Sequence, residues 1–235
     1  MRRSLLPLLL VAMAVVAATS GARAADDGSA ILAQRCAGCH SLTGPAPQNL
    51  QQLWARKAPD LFYAGNKFRA DWLRAWLQKP TRIRPAGEFY ADHVRRGEKG
   101  DEIDTATLTP HLALSAAEAG PVTDALMRLK AHDDLIAAEK IEPGSISKSM
   151  GEMTFDKFLG CMTCHEIEPG FGGASGPELY TAGRRLQAEF IASYIRSPQA
   201  WDPKIWMPNK HVSDPNIVKL THYLSVLAKE PGDAK

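Results

Sequence analysis

Apolar residues return at helical spacing twice along this chain, in two segments that align with each other. In PDLFYAGNKFRADWLRAWLQKP, at 59–80, they fall at Trp72, Leu73, Trp76 and Leu77. In PELYTAGRRLQAEFIASYIRSP, at 177–198, they fall at Phe190, Ile191, Tyr194 and Ile195. That spacing predicts an amphipathic helix in each segment, ending before Pro80 and Pro198. The segments match without a gap, with identities at Pro59/Pro177, Leu61/Leu179, Ala64/Ala182, Gly65/Gly183, Ala70/Ala188 and Pro80/Pro198. A later pair, TPHLALSAAEAGPVTDALMRL at 109–129 and MPNKHVSDPNIVKLTHYLSVL at 207–227, predicts a C-terminal helix for each half, with Ser115 and Ser213 at the N-cap.

The repeat divides the chain into two small helical domains, at 25–138 and 153–235. They are joined by EKIEPGSISKSMGE at 139–152, which is poor in apolar residues and broken by Pro and Gly. The halves fall out of register at one place. Counted forward from the first helical match, Phe89 falls where Met207 stands in the second half. Counted backward from the C-terminal match, Thr109 falls there. The difference is an insertion of 20 residues in the first domain, at about 90–108.

Composition and charge add a compartment. The opening MRRSLLPLLLVAMAVVAATSGARA has two arginines at its start, then an apolar run and the small-x-small pattern Ala22-Arg23-Ala24. This is the layout of a signal peptide, with cleavage expected after Ala24, and the run is short of the ~20 residues of a spanning helix. The leader holds three arginines and no acid. The remaining 211 residues therefore carry 25 basic against 26 acidic side chains, a net charge of −1. A nucleic-acid binder would show a basic stripe there, and none is present. The expectation is an exported, soluble, periplasmic protein.

All four cysteines lie in two motifs, CAGCH at 36–40 and CMTCH at 161–165. In an oxidising compartment, four cysteines ordinarily form two disulfides, and zinc recruits such pairs in other groupings. Neither chemistry requires a histidine directly after the second cysteine, twice. Covalent haem attachment does: the thiols of Cys36, Cys39, Cys161 and Cys164 hold two c-type haems, and His40 and His165 become the proximal iron ligands.

With these motifs, the chain resembles class I cytochrome c over nearly all of its mature length. The resemblance implies an all-α fold of two tandem domains, each wrapped round one covalent haem with its first and last helices crossing. It places Phe155, Phe158 and Tyr223 at the second crossing, and makes Met207, followed by Pro208, the axial thioether of haem 2, with His211 as the fallback. The first domain departs from the pattern, having no such methionine. His93, inside the insertion, is placed first as the sixth ligand of haem 1, and His111, two residues beyond Thr109, is the alternative. His132 and His222 are expected to be solvated. A bis-histidine haem 1 would have a lower potential than a His/Met haem 2, so electrons would run from domain 1 to domain 2.

The expected function is electron transfer between redox partner proteins, with membrane contact only through a membrane-bound donor or acceptor. One alternative is a peroxidase-like haem enzyme with an open haem 1 and Glu88, Asp92 and His93 as distal groups. Another is the cytochrome subunit of a larger oxidoreductase. A cysteine-ligated haem is excluded, because the chain has no fifth cysteine.

Overall fold

In the computed structural model, residues 28–83, 89–98 and 100–229 are described. The expected leader, Pro85 and Glu88 lie outside them. Among the described residues, no helix is long and apolar enough to cross a membrane.

Domain 1 begins with a helical turn, α1 (Leu32–Cys36), whose first carbonyl accepts from the Ala37 N–H five residues on, a π-type bond that widens the turn. It continues through α2 (Leu50–Trp54), α3 (Ala64–Lys67), α4 (Ala70–Gln78) and α5 (Ala116–Met127). The sequence places α4 correctly, and it buries Leu73 and Leu77 against α5. At the start of α5, the Ser115 hydroxyl accepts from the Glu118 N–H and the Glu118 carboxylate accepts from the Ser115 N–H, a reciprocal cap.

Between α4 and α5, the insertion folds into an antiparallel hairpin, β1 (Val94–Gly97) and β2 (Gly100–Ile103). Ile103 and Leu108 are buried, and Arg95 pairs with Glu102 across the strands. The Arg82 guanidinium donates to the Leu108 and Thr109 carbonyls and so pins the exit of the insertion.

After α6 (Asp133–Ala137), domain 2 repeats the plan with α7 (Lys148–Met153), α8 (Ala182–Arg185), α9 (Ala188–Arg196), α10 (Pro198–Trp201) and α11 (Asp214–Leu227). A second small hairpin, β3 (Glu166–Glu168) with β4 (Phe171–Gly172), follows the motif. The two hairpins amend the all-α expectation: the described residues are mainly helical but include two short antiparallel sheets.

The joining segment is also more structured than its composition predicts. Glu139 is buried and paired with Arg196, the His222 Nε2–H donates to the Glu142 carbonyl, and α7 packs on α11. His222 is therefore half-buried and engaged. At the crossing, the Phe155 ring meets Tyr223 with centroids 5.9 Å apart. Phe158 instead points to solvent, 65% exposed. The π-type turn over Thr154–Phe158 shifts the helical phase, so Phe155 turns inward and Phe158 outward.

The halves join about a local two-fold axis. The Arg69 N–H donates to the Arg185 carbonyl, the Gln187 N–H donates to the Lys67 carbonyl, and Phe68 pairs with Leu186. Phe68 faces its own counterpart in the repeat, and the Arg69–Arg185 bond is the symmetry mate of the Gln187–Lys67 bond, which is the rule for an isologous contact. Beside this seam, Phe62, Tyr63, Phe190 and Trp201 form a mixed aromatic core.

His132 belongs to that core and is not solvated. Its ring lies 5.0 Å from Trp201, 5.4 Å from Tyr63 and 5.8 Å from Phe62. Burial pushes its pKa down, only partly offset by Asp134, and no polar group among the described residues meets its buried Nε2. A folded pKa below the unfolded value means that the unfolded chain binds the extra proton, so this contribution to stability falls as pH drops below about 6.5. His132→Phe is expected to raise stability at pH 5 more than at pH 8. Urea melts at the two pH values check it, and an unchanged acid slope would count against it.

Candidate functional site

Each CxxCH motif closes the turn after the first helix of its half. The His40 N–H bonds to the Cys36 carbonyl and the His165 N–H to the Cys161 carbonyl, which winds each motif tightly enough to present two thiols and an imidazole together. All four cysteines are free thiols. Cys36 packs against the domain 1 core and Cys161 against that of domain 2. Burial pushes both thiols up, with Arg35 and Lys210 respectively pulling the other way. A thiol–disulfide catalyst lowers its attacking thiol, the opposite direction to that of Cys36 and Cys161. Among the described residues, no three His, Cys, Asp or Glu side chains gather into a metal-holding group.

The motif histidines are oriented identically. The His40 Nδ1–H donates to the Pro59 carbonyl at 2.7 Å, and the His165 Nδ1–H to the Pro177 carbonyl at 2.8 Å. Pro59 and Pro177 are matching positions of the repeat, so the first identity in the aligned segments is the acceptor that fixes each ring. With Nδ1 committed as donor, Nε2 keeps its lone pair for a metal, the arrangement second-shell carbonyls impose on ligating histidines. Burial is the main cause pushing both pKa values down, which keeps the imidazoles neutral as ligands must be.

Across from His40 stands His111. The two ring centroids are 6.1 Å apart. Metal–imidazole bonds of about 2 Å put the centroids of two opposed ligands roughly 6 Å apart, so the spacing fits one iron between them. The His111 Nδ1–H donates to the Leu112 carbonyl at 2.8 Å, leaving Nε2 free on this ring too. Trp76 of α4 backs the ring at 4.5 Å.

His93 is placed differently. It closes the base of the inserted hairpin, its carbonyl accepting from the Asp104 N–H and its Nδ1 meeting the Thr107 hydroxyl at 2.9 Å. Asp92 is exposed on the same turn. Of the two histidines weighed for haem 1, His111 is the one brought opposite His40.

In domain 2, Gln199 donates to the Met207 carbonyl at 2.7 Å. Arg82 does the same for Thr109, which supports the backward count: Thr109 is the structural counterpart of Met207, and the 20 extra residues bulge out before it. Met207 is half-buried and His211 exposed. Trp206, just before Met207, donates its indole N–H to the Ser175 carbonyl, tying the methionine loop to the loop that follows the second motif.

The residues fit a covalently held haem in each half. Domain 1 offers two thiols, opposed imidazoles and the apolar wall of Leu32, Leu42, Leu61, Trp72, Trp76 and Leu77. A cavity of about 460 Å³ runs beside the motif, bounded by Cys39, His40, Pro47, Gln52, Arg56 and Asp60, within the range of small-molecule sites. Domain 2 offers two thiols, His165 and the core of Phe155, Ile167, Ile191 and Leu224.

Sequence reasoning missed the aromatic series Trp54–Phe89–Trp206 and the buried Arg56–Asp202 pair, both of which connect the halves. The proline identities were visible, but their role as histidine acceptors was not. Comparison with protein-family models, curated proteins and solved structures finds no match to this chain.

Proposed function

We propose that the chain is an exported dihaem c-type cytochrome that carries electrons between redox partner proteins. His40 and His111 are the axial ligands of haem 1, and His165 and Met207 those of haem 2. The observation that carries this reading is the duplicated motif histidine, locked through Nδ1 to a proline carbonyl, with a second imidazole facing it in domain 1. Bound at these positions, each haem supplies a one-electron iron couple, the His/His set at a lower potential than the His/Met set, which directs electrons from domain 1 to domain 2.

The protein's own part is positional. Pro59 and Pro177 hold the proximal rings, Leu112 and Trp76 hold His111, and Gln199 holds the Met207 backbone. The seam at 67–69 and 185–187 fixes the two halves relative to each other. Docking of partners needs only a small, transient contact area.

Carbon monoxide binding to the dithionite-reduced protein tests the reading. The parent and His93→Ala are expected to take up none rapidly, and His111→Ala to bind at one haem. Rapid uptake by the parent at one haem would move the reading to a haem enzyme with an open site, and peroxide turnover would then be assayed.

A further inference from the structure

The inserted segment belongs to domain 1 by sequence, yet Phe89, the residue at its entrance, reaches across to domain 2. The Phe89 ring lies 5.6 Å from Trp54 of α2, tilted by 38°, and 5.8 Å from Trp206, nearly edge-on at 79°. Trp206 directly precedes Met207, and its indole N–H donates to Ser175, two residues before the proline that holds His165. The next residue, Tyr90, donates its hydroxyl to Asp101 on β2 at 2.8 Å, which ties this end of the segment to its own hairpin. At its other end, the segment is pinned by Arg82 at Leu108 and Thr109, two residues before His111.

The insertion thus runs from the methionine loop of one site to the histidine loop of the other. We infer that it is a strap between the two axial-ligand loops, and that Phe89, held between Trp54 and Trp206, is a positioning residue for Met207. The inference rests on the reading of Met207 as the axial group of haem 2. Physically, Trp206 is anchored on one side by Ser175 and on the other by Phe89, and 38% of its surface is exposed. Removing the Phe89 ring deletes two aromatic contacts and leaves Trp206 held by its Ser175 bond without the ring that packs on its other side. The loop then visits positions in which the thioether is away from the iron.

The test uses the full-length ferric protein with both haems, in the parent, Phe89→Ala, Phe89→Tyr and Trp54→Ala. The sulfur-to-iron absorption band of a His/Met haem is followed with temperature, and the potential of haem 2 is titrated. Phe89→Ala is expected to raise the methionine-off population about tenfold, so the band fades at lower temperature and the haem 2 potential falls. Phe89→Tyr, which keeps the ring, is expected to restore both, and Trp54→Ala to fall between. Carbon monoxide uptake at haem 1 should stay negligible in all four proteins, which separates a local effect from general unfolding. A band and potential in Phe89→Ala equal to the parent's would overturn the role of Phe89. A parent without the band would overturn the Met207 assignment, and the role of Phe89 with it.

Discussion

Full-length protein carrying Cys161→Ser and Cys164→Ser is expected to be secreted with half the parent's haem and with its second half unfolded. The reason is the size of the domain 2 core. Its buried cluster is essentially Phe155, Ile167, Ile191, Leu220, Tyr223, Leu224 and Leu227, with Ala182 between them. Domains of this length bury a smaller share of their surface than larger ones do and are marginal by themselves. The Cys161 side chain already packs on that cluster, so a group attached there would extend the same core. Where a bound group completes the core, its binding free energy becomes folding free energy. Domain 1 keeps its own motif and serves as the internal control. Haem content per chain, circular dichroism and limited proteolysis of residues 147–229 check the expectation. A haem-free second half that stays helical and protease-resistant would sink it.

The second large effect is expected at Arg56. Its guanidinium donates to Asp202 at 2.6 Å, across the boundary between the halves, and to Asp60 at 3.3 Å within its own. The three side chains are 10%, 3% and 6% exposed, so the group is dry and its charges depend on one another. Removing one partner from such a group costs about 3–5 kcal/mol, because the charges left behind remain buried. Arg56→Met is expected to lose stability in that range. Burial already pushes the Asp60 carboxyl up against the pull of Arg56, and without the cation it rises further. A raised carboxyl binds its proton more readily in the folded than in the unfolded state, so the variant recovers stability as pH falls toward the folded pKa. Its deficit in urea melts should therefore be smaller at pH 5 than at pH 8. Adding Asp60→Asn and Asp202→Asn should return much of the loss. A deficit under about 1 kcal/mol at pH 8, the size of a surface pair, would mean that the group is solvated.

Much of this was legible in the sequence because it is local. The helical spacing at 72–77 and 190–195 marks α4 and α9, Ser115 announces its cap through Glu118, and the two motifs mark the turns that follow the first helix of each half. Which histidine comes near His40 was legible only in part. Both candidate histidines are present in the sequence, but which one meets His40 depends on the path of a 20-residue insertion, and no local pattern fixes that path. The backward register did point to the histidine that lies near His40: a guanidinium bonds the Thr109 carbonyl as Gln199 bonds that of Met207, and His111 follows two residues on. The misplacement of Phe158 has a different cause, since one wide turn changes which residues face inward without changing their spacing in the sequence. His132 looked solvated because the rings that enclose it come from both halves. Arg56 with Asp202, and Phe89 with Trp206, are likewise contacts between distant segments, invisible until the halves are docked.

The pairing of Phe68 with Leu186 has a consequence for how this chain could diverge. Two identical subunits meeting on such an axis must carry every substitution twice, once on each side. Two halves joined end to end are released from that rule, since each is encoded separately. One side can therefore gain a hairpin and carry Thr109 and His111 where the other carries Met207 and Asn209, while the backbone bonds between 67–69 and 185–187 stay as a pair of equals would make them. The asymmetry between the halves has been written into the loops, and the symmetry that holds them together has been left in the seam.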